Sequence, residues 1–374
     1  MRATEKDALT AASRPTPTRS AAPRPGEKDA QPAATRPTRV SVRVPATSAN
    51  VGVGFDVLGV SLELFANFSF SPAPELRILG CEERFRGPDN LVWTSYLQAC
   101  RELGATARPL EIVIDSPIPA SGGMGSSSAC VVAGIVAAQL LSGHGYDADE
   151  ALDVATRIEG HPDNVAPAIK GALVSSFVDE DGSVCALRWN VAPNLRFVCM
   201  APPYRVLTTE ARKVIPRTVP TQTAIWQVGR CVAMVQALER GDAALISRCC
   251  HDRLHEPYRA ELIADYGRLR EVSYAAGACG FVISGSGATM LAIADGDEVA
   301  SHVAAAAEQA VEGLWVRMLR ADARGTTYEL ADADDMGADS DAVATTDAGA
   351  TEVTNAAGKR AATEDTTRGA RSSR

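Results

Sequence analysis

No apolar run in this chain is long enough to cross a bilayer. The longest candidate, around Ala129 to Leu141, is broken by Gly134 and Gln139, so no membrane span and no membrane partner are expected. The N-terminus has no secretory h-region, and a cytoplasmic location is expected. Histidines number 5, and no C-x-x-C stands with an H-x₃₋₅-H pair, which argues against structural zinc. The 9 cysteines form no C-x-x-C pair; Cys249 and Cys250 are adjacent and Cys279 is isolated. They read as mostly buried thiols of a reducing compartment. Aromatics make up 5% of the residues, so the core must be largely aliphatic. Positive charge is also short, with 37 Lys and Arg against 46 Asp and Glu and a net charge of −9. A nucleic-acid partner, which needs clustered positive charge, is not expected. Only 5 of the basic residues are Lys, a bias that suits either a salt-adapted or a GC-rich source. Finally, there is no G-x-x-x-x-G-K-[ST] and no G-x-G-x-x-G at a strand-to-helix turn, which excludes an ordinary P-loop and a dinucleotide fingerprint.

What is present is length enough for two domains, 374 residues, between two unlike ends. Residues 1–39 carry 8 basic and 4 acidic side chains, and residues 331–374 carry 5 and 9. Both ends are rich in Ala, Thr, Ser, Pro or Asp and lack apolar periodicity. They cannot bury enough surface to offset the entropy of ordering, so 1–38 and 331–374 are expected to be disordered tails. The Arg- and Ser/Thr-rich N-terminus resembles a transit peptide in composition, against which its acids count.

Between the tails, Val40, Val42 and Val44 alternate as a strand that Pro45 is expected to end, with 46–54 a tight loop. Strand patterns follow over 62–70 and 75–78, a helix over 90–103 and a strand over 111–115. Helices fit 126–141 and 148–159, then strands 171–177, 184–189 and 195–200. The second half has a helix over 221–240 with an exposed charged face, and helices over 243–254 and 260–276. GFVISGSGATMLAIA makes two apolar strands about a Gly-Ser turn, and a helix near 298–312 and a strand near Trp315 follow. A boundary near residue 190 separates a first domain, 39–190, from a second, 191–330, with a cleft between them as the natural ligand site.

The stretch EIVIDSPIPASGGMGSSSACVVAGIVAAQLL, 111–141, is the most informative. A β-branched run leads through a glycine loop straight onto a small-residue helix. Gly122, Gly123 and Gly125 allow the left-handed backbone such a loop needs. Ser126, Ser127 and Ser128 are expected at the N-cap and first turn, where free N–H groups and the helix dipole favour an anion. A nucleotide phosphate is the natural candidate, and hence a phosphotransferase.

Three more polar or glycine-rich turns sit between strong elements: SANVGVGFD (48–56), EGHPDN (159–164) and SGSGAT (284–289). With SGGMGSSS (121–128), in this order and spacing, they resemble the GHMP kinase superfamily, and within it the homoserine kinases. The resemblance covers roughly 39–330, and PATSANVGVGFDVLG is the part that separates this family from its relatives; HPDNVAPAIKGA and SGSGAT reinforce it. It implies an α+β, two-domain fold, with an N-terminal domain like ribosomal protein S5 domain 2 and a C-terminal ferredoxin-like domain. It implies ATP and Mg²⁺ as cofactors, L-homoserine as substrate, O-phospho-L-homoserine as product, a place in threonine biosynthesis, and a homodimer.

Carried over residue by residue, the resemblance implies that Gly122, Gly123, Gly125, Ser126 and Ser127 hold phosphate and that Asn90, in PDNLV, lies in the adenine pocket. Ser126 and Glu159 are the implied Mg²⁺ ligands; some relatives carry the acid further upstream. Asp56 would take the substrate's amino group, Arg212 and Arg259 its carboxylate, and Thr208 a substrate-side position. Asn50 and Asn164 would orient the reacting hydroxyl. Without the resemblance, Asp56 is a helix cap, and Arg212 and Arg259 belong to solvated helix faces. His161 reads as a turn stabiliser and Asp163 as bonding the turn's own backbone, although it can act as a base.

Phosphoryl transfer through a loose transition state asks mainly for alignment and charge stabilisation. Direct in-line transfer with no dedicated side-chain base is therefore expected, unlike the Asp–Lys pair of related sugar and mevalonate kinases. The alternatives are another small-alcohol kinase of this fold, for mevalonate or shikimate, or a non-catalytic ATP-binding regulator. The P-G-K…GEH pattern of mevalonate kinases is absent.

Overall fold

The computed structural model of the protein describes residues 37–120 and 122–331, so the expected tails, apart from residues 37, 38 and 331, lie outside the described residues. Strand β1 (Arg39–Ala49) begins with the valine alternation, and Val40, Val42 and Val44 are buried on one face. It does not end at Pro45. Its antiparallel ladder to β2 (Leu58–Pro72) shifts register between Pro45 and Ala46 and runs on to Ala49 opposite Gly59. A bulge accommodates the missing N–H, and the loop begins at Asn50 rather than at Ala46.

The chain continues through β3 (Arg77–Leu79), α1 (Leu91–Glu102), β4 (Leu110–Asp115), α2 (Ser126–Ser142), α3 (Ala148–Glu159) and α4 (Val165–Lys170). Next come β5 (Leu173–Val178), β6 (Val184–Trp189), β7 (Leu195–Ala201), α5 (Thr208–Lys213), α6 (Thr221–Arg240), α7 (Ala243–Cys249), α8 (Glu256–Arg259) and α9 (Tyr266–Ala275). Then follow β8 (Gly280–Ile283), β9 (Met290–Asp295), α10 (Gly296–Ala310), β10 (Trp315–Leu319) and β11 (Thr327–Ala331). The first sheet has the order β11-β1-β2-β4-β3, with β5 also on β2 and β6 on β5; β3 and β4 pair in parallel and the other pairs are antiparallel. The last strand thus returns to the sheet in which the fold began. The second sheet, β10-β7-β9-β8, is antiparallel, with α10 and α9 packed on it.

α2 is apolar on nearly all sides and is correspondingly buried, between α1 and β1. Gly134 permits the close approach of α1, since a Cβ there would lie 2.4 Å from the carbonyl oxygen of Val92. Several segments differ from expectation. The helix expected over 243–254 stops at Cys249, because the Asp252 carboxylate collects the N–H groups of Leu254, His255 and Glu256 and starts α8 instead. The one expected over 260–276 divides into a 3₁₀ turn, Ala260–Leu262, and α9. α6 presents Ile225, Val228 and Val232 to solvent rather than a charged face. α4, α5 and β11 were too short to announce themselves by period. All nine cysteines are free thiols, five of them buried. Among the described residues no helix is long and apolar enough to cross a membrane.

Candidate active site

The four turns meet. Thr47 N–H donates to the Met124 carbonyl (3.2 Å), Gly285 N–H to that of Ala49 (3.1 Å) and Thr289 N–H to that of Gly122 (3.0 Å). The Ser284 hydroxyl lies 2.6 Å from the Gly123 carbonyl and 2.8 Å from Ser48 Oγ. Thr47 Oγ1 donates to Asn164 Oδ1 at 2.8 Å, which brings the EGHPDN turn in. Two glycines are required by this closeness. A Cβ on Gly123 (φ 87°) would fall 2.2 Å from the Ser284 carbonyl oxygen, and one on Gly125 (φ 68°) 2.0 Å from Thr47 Oγ1. Both also occupy left-handed backbone that an L side chain adopts at a cost of about 1–2 kcal/mol.

Together the turns line a cavity of about 570 Å³. Every residue expected at the site faces it: Asn50, Asp56, Asn90, Gly122, Gly123, Gly125, Ser126, Ser127, Glu159, Asn164, Thr208, Arg212 and Arg259. α2 opens on this cavity with no side-chain cap and no acid in its first turn. Gly125, not a serine, is the N-cap residue, because its left-handed backbone aims the loop at the helix; Ser126 is the first helical residue. The first-turn N–H groups are thereby left to a ligand, and the dipole makes that ligand an anion.

Glu159 ends α3 half-buried, facing Ser127, and burial pushes its carboxyl up from the ordinary range while the Ser127 hydroxyl partly offsets this. A carboxylate held out of water beside hydroxyls at an anion site favours a bound cation. Ser126 and Glu159 offer one hydroxyl and one carboxylate oxygen, a set that fits Mg²⁺ completed by phosphate and water oxygens. Among the described residues no cluster of three or more His, Cys, Asp or Glu forms a closed metal cage.

His161 Nδ1 lies 2.5 Å from Asp163 Oδ1, and this hydrogen bond raises the imidazole pKa. Asp163 therefore bonds the His161 ring, and Asn164 Nδ2 at 3.5 Å, where a bond to its own turn's backbone was expected. Asn50, itself at φ 65°, spends both ends of its amide on shape: Nδ2 donates to the Gly285 carbonyl (2.7 Å) and Oδ1 accepts from Asp56 N–H (2.9 Å). Asn90 caps α1, accepting from Val92 N–H (2.9 Å) and donating to the Phe85 carbonyl (2.6 Å).

The charged part of the cavity is assembled from three distant segments. Arg212 grips Asp56 through two hydrogen bonds of 3.1 and 3.3 Å, with the side chains 42% and 36% exposed. A pair this wet adds at most about 1 kcal/mol to stability, so its presence in a cleft calls for another reason. Arg259 is buried, and burial pulls its pKa down from the usual guanidinium range. It donates from Nε to the Ala211 carbonyl (3.2 Å) and from Nη1 to that of Gly285 (2.8 Å), beneath Phe55. Thr208 Oγ1 lies 3.3 Å from Ser286 Oγ. Thr47, Ser284 and Ser286 were not singled out in the sequence, although each lies inside or beside a quoted turn.

Two family models match the chain, "GHMP kinases N terminal domain" over residues 90–172 and "GHMP kinases C terminal" over 234–313. The chain is 37% identical over 290 residues to the homoserine kinase of Clostridium botulinum (strain 657 / Type Ba4), covering 77% of this chain and 97% of that one. It is 40% identical over 263 residues to the homoserine kinase of Thermus thermophilus, covering 70% and 89%. Among solved structures, the homoserine kinase of Cytophaga hutchinsonii superposes with a TM-score of 0.71 at 28% identity, over 81% of this chain and all of that one.

Proposed function

The chain belongs to the homoserine kinases of the GHMP kinase superfamily and has their two-domain α+β fold, and from that premise we propose that it transfers the γ-phosphoryl group of ATP to the hydroxyl of L-homoserine, giving O-phospho-L-homoserine and ADP. The observation that supports the substrate best is the Asp56–Arg212 pair beside buried Arg259. One acid and two guanidinium groups match the ammonium and carboxylate of an amino acid, and a planar guanidinium suits a carboxylate. The substrate exchanges the protein's own ion pair for its own two charges: Asp56 takes the ammonium, Arg212 and Arg259 take the carboxylate, and Thr208 flanks them. A mevalonate or shikimate carboxylate has no ammonium for Asp56.

The phosphates lie on the N–H groups of Gly122, Gly123, Gly125, Ser126 and Ser127, with adenine towards Asn90. Ser126 and Glu159 would hold Mg²⁺, which would supply neutralisation of phosphate charge. Asn164 orients the attacking hydroxyl, and Asn50 keeps the loops that carry Asp56 and Gly285 in register. The nucleophile needs alignment more than deprotonation before a loose transition state, so transfer is direct, with no dedicated side-chain base. The enzyme acts in threonine biosynthesis in the cytoplasm, as a homodimer, with 39–190, joined by β11, as the ATP-binding domain and the rest of 191–330 as the second.

A coupled ADP-release assay with Mg·ATP tests this reading, comparing L-homoserine, mevalonate, shikimate and L-serine. Turnover with L-homoserine alone is expected. Preference for another alcohol would overturn the substrate assignment, and ATP binding without turnover on any of them would favour a regulator.

A further inference from the structure

His255 stands at the N-cap of α8, fully buried, four residues before Arg259. Its Nδ1 lies 3.4 Å from Nη1 of Arg259. A guanidinium only donates, so this ring nitrogen must carry no proton and accept. The ring stacks on Phe55, with centroids 4.9 Å apart and planes 21° from parallel. Its other nitrogen, Nε2, has no hydrogen-bond partner among the described residues and faces Asp252 Oδ2 at 3.8 Å. Asp252 is itself immobilised, by three backbone N–H groups at 2.7–2.9 Å on Oδ1 and by Gln227 on Oδ2. Gln227 is tied in turn to the Val53 carbonyl at 2.8 Å.

The donors on Nε and Nη1 of Arg259 are then spoken for. Nε serves the Ala211 carbonyl, and Nη1 serves both the Gly285 carbonyl and His255. Nη2 has no partner among the described residues, and Arg259 lines the cavity. Ala211, Gly285 and the stacked Phe55 also sit next to the rest of the charged cluster. Ala211 precedes Arg212, Phe55 precedes Asp56, and Gly285 accepts from Asn50. Arg259 and His255 thus form the joint at which the loop of Asp56, the helix of Arg212 and the Ser284–Thr289 turn meet. Burial and the guanidinium charge hold the imidazole well below its usual range in spite of Asp252, which agrees with a neutral ring.

We propose that His255 is a positioning residue for amino-acid binding: as the neutral Nε2–H tautomer it accepts from Arg259 and fixes the guanidinium plane so that Nη2 meets the substrate carboxylate. This rests on the assignment of that carboxylate to Arg259.

Two amide variants and one spectrum test it. Asn carries its oxygen near the place of Nδ1, whereas Gln reaches the place of Nε2 and leaves Nη1 short of an acceptor. In ADP-release kinetics His255→Gln is expected to raise the KM for L-homoserine about tenfold or more, with the KM for ATP within about twofold, the size expected for one hydrogen bond lost from a charged group. His255→Asn is expected to stay within about threefold of wild type on both, because it keeps that bond. Equal homoserine KM values for the two variants, or an ATP KM that moves in step, would overturn the proposal. On the wild-type protein, ¹⁵N chemical shifts of the His255 ring are expected to show Nδ1 unprotonated at neutral pH. A protonated Nδ1 would overturn it whether or not the variants fold. Wild-type enzyme inactive on L-homoserine would sink the proposed function instead, with the ring tautomer still reporting on His255.

Discussion

Gly122 to Ser128 reach the cavity as one continuous piece of chain, whereas Asp56, Arg212 and Arg259 come from the β1–β2 loop, α5 and α8. The glycine loop offers backbone: uncapped N–H groups, left-handed glycines and a helix dipole. The charged cluster offers side chains, held by backbone carbonyls and a buried imidazole. A backbone site is rigid because its atoms cannot move without the fold, so it fails all at once when a Cβ intrudes. A side-chain site is adjustable, and it fails one ligand group at a time. In the proposed function the phosphates of ATP meet the first kind of site and the amino acid the second.

Gly123→Ala would put the contrast to its hardest test. A Cβ 2.2 Å from the Ser284 carbonyl has no flexible neighbour to displace, so kcat/KM is expected to fall about 10³-fold for both substrates, as for the loss of preorganised backbone donors. Arg259→Leu is expected to raise the homoserine KM about 100-fold and leave the ATP KM near wild type, since one partner of a buried charge contact is removed. If both KM values rise together, the two parts of the cavity are not separable as described. For Asp56→Asn, competition between L-homoserine and its des-amino analogue, 4-hydroxybutyrate, is the sharper measurement. A loss of about tenfold in preference for the amino acid is expected, the worth of one charge-assisted bond.

Glu256 extends the comparison to stability, because the charged part alone rests on a buried acid. Burial pushes this carboxyl from 4.5 up to about 8, although it accepts from Ile283 N–H at 2.6 Å. The folded state therefore keeps a proton that the unfolded chain releases above 4.5, and stability falls as pH rises from there to about 8. Glu256→Gln is expected to flatten that slope in thermal midpoints measured across the window; an unchanged slope would assign it to other groups. The smallest effect is expected at Asn90. Asn90→Ala removes the α1 cap and should cost about 1 kcal/mol in a denaturant melt. Because the amide is already spent on Val92 and Phe85, the ATP KM should hardly move, and a large rise would show a direct contact with adenine.

Features set within a few residues were legible in the sequence. The bounds expected for α3, α6 and β6 coincide with those observed, because capping residues, helical period and strand alternation act locally. The glycine loop was legible for the same reason, and the order of the four turns pointed to the family. Even nearby features were misread where a neighbour intervened. Pro45 does not end β1, since the partner strand absorbs it in a bulge, and the N-cap fell to Gly125, whose left-handed backbone beside Thr47 leaves no room for a side chain.

The order of the turns, the uncapped head of α2 after its glycine loop and the aliphatic core were therefore determined by the sequence alone, through backbone sterics and the periodicity of apolar side chains. Only the tertiary structure decided that Asp56 and Arg212, 156 positions apart, pair with each other, and that Arg259 leans on His255, Ala211 and Gly285. Charged and polar side chains carry no period that marks their partners. Their energies depend on distance and burial, and both exist only once the sheets have brought the segments together.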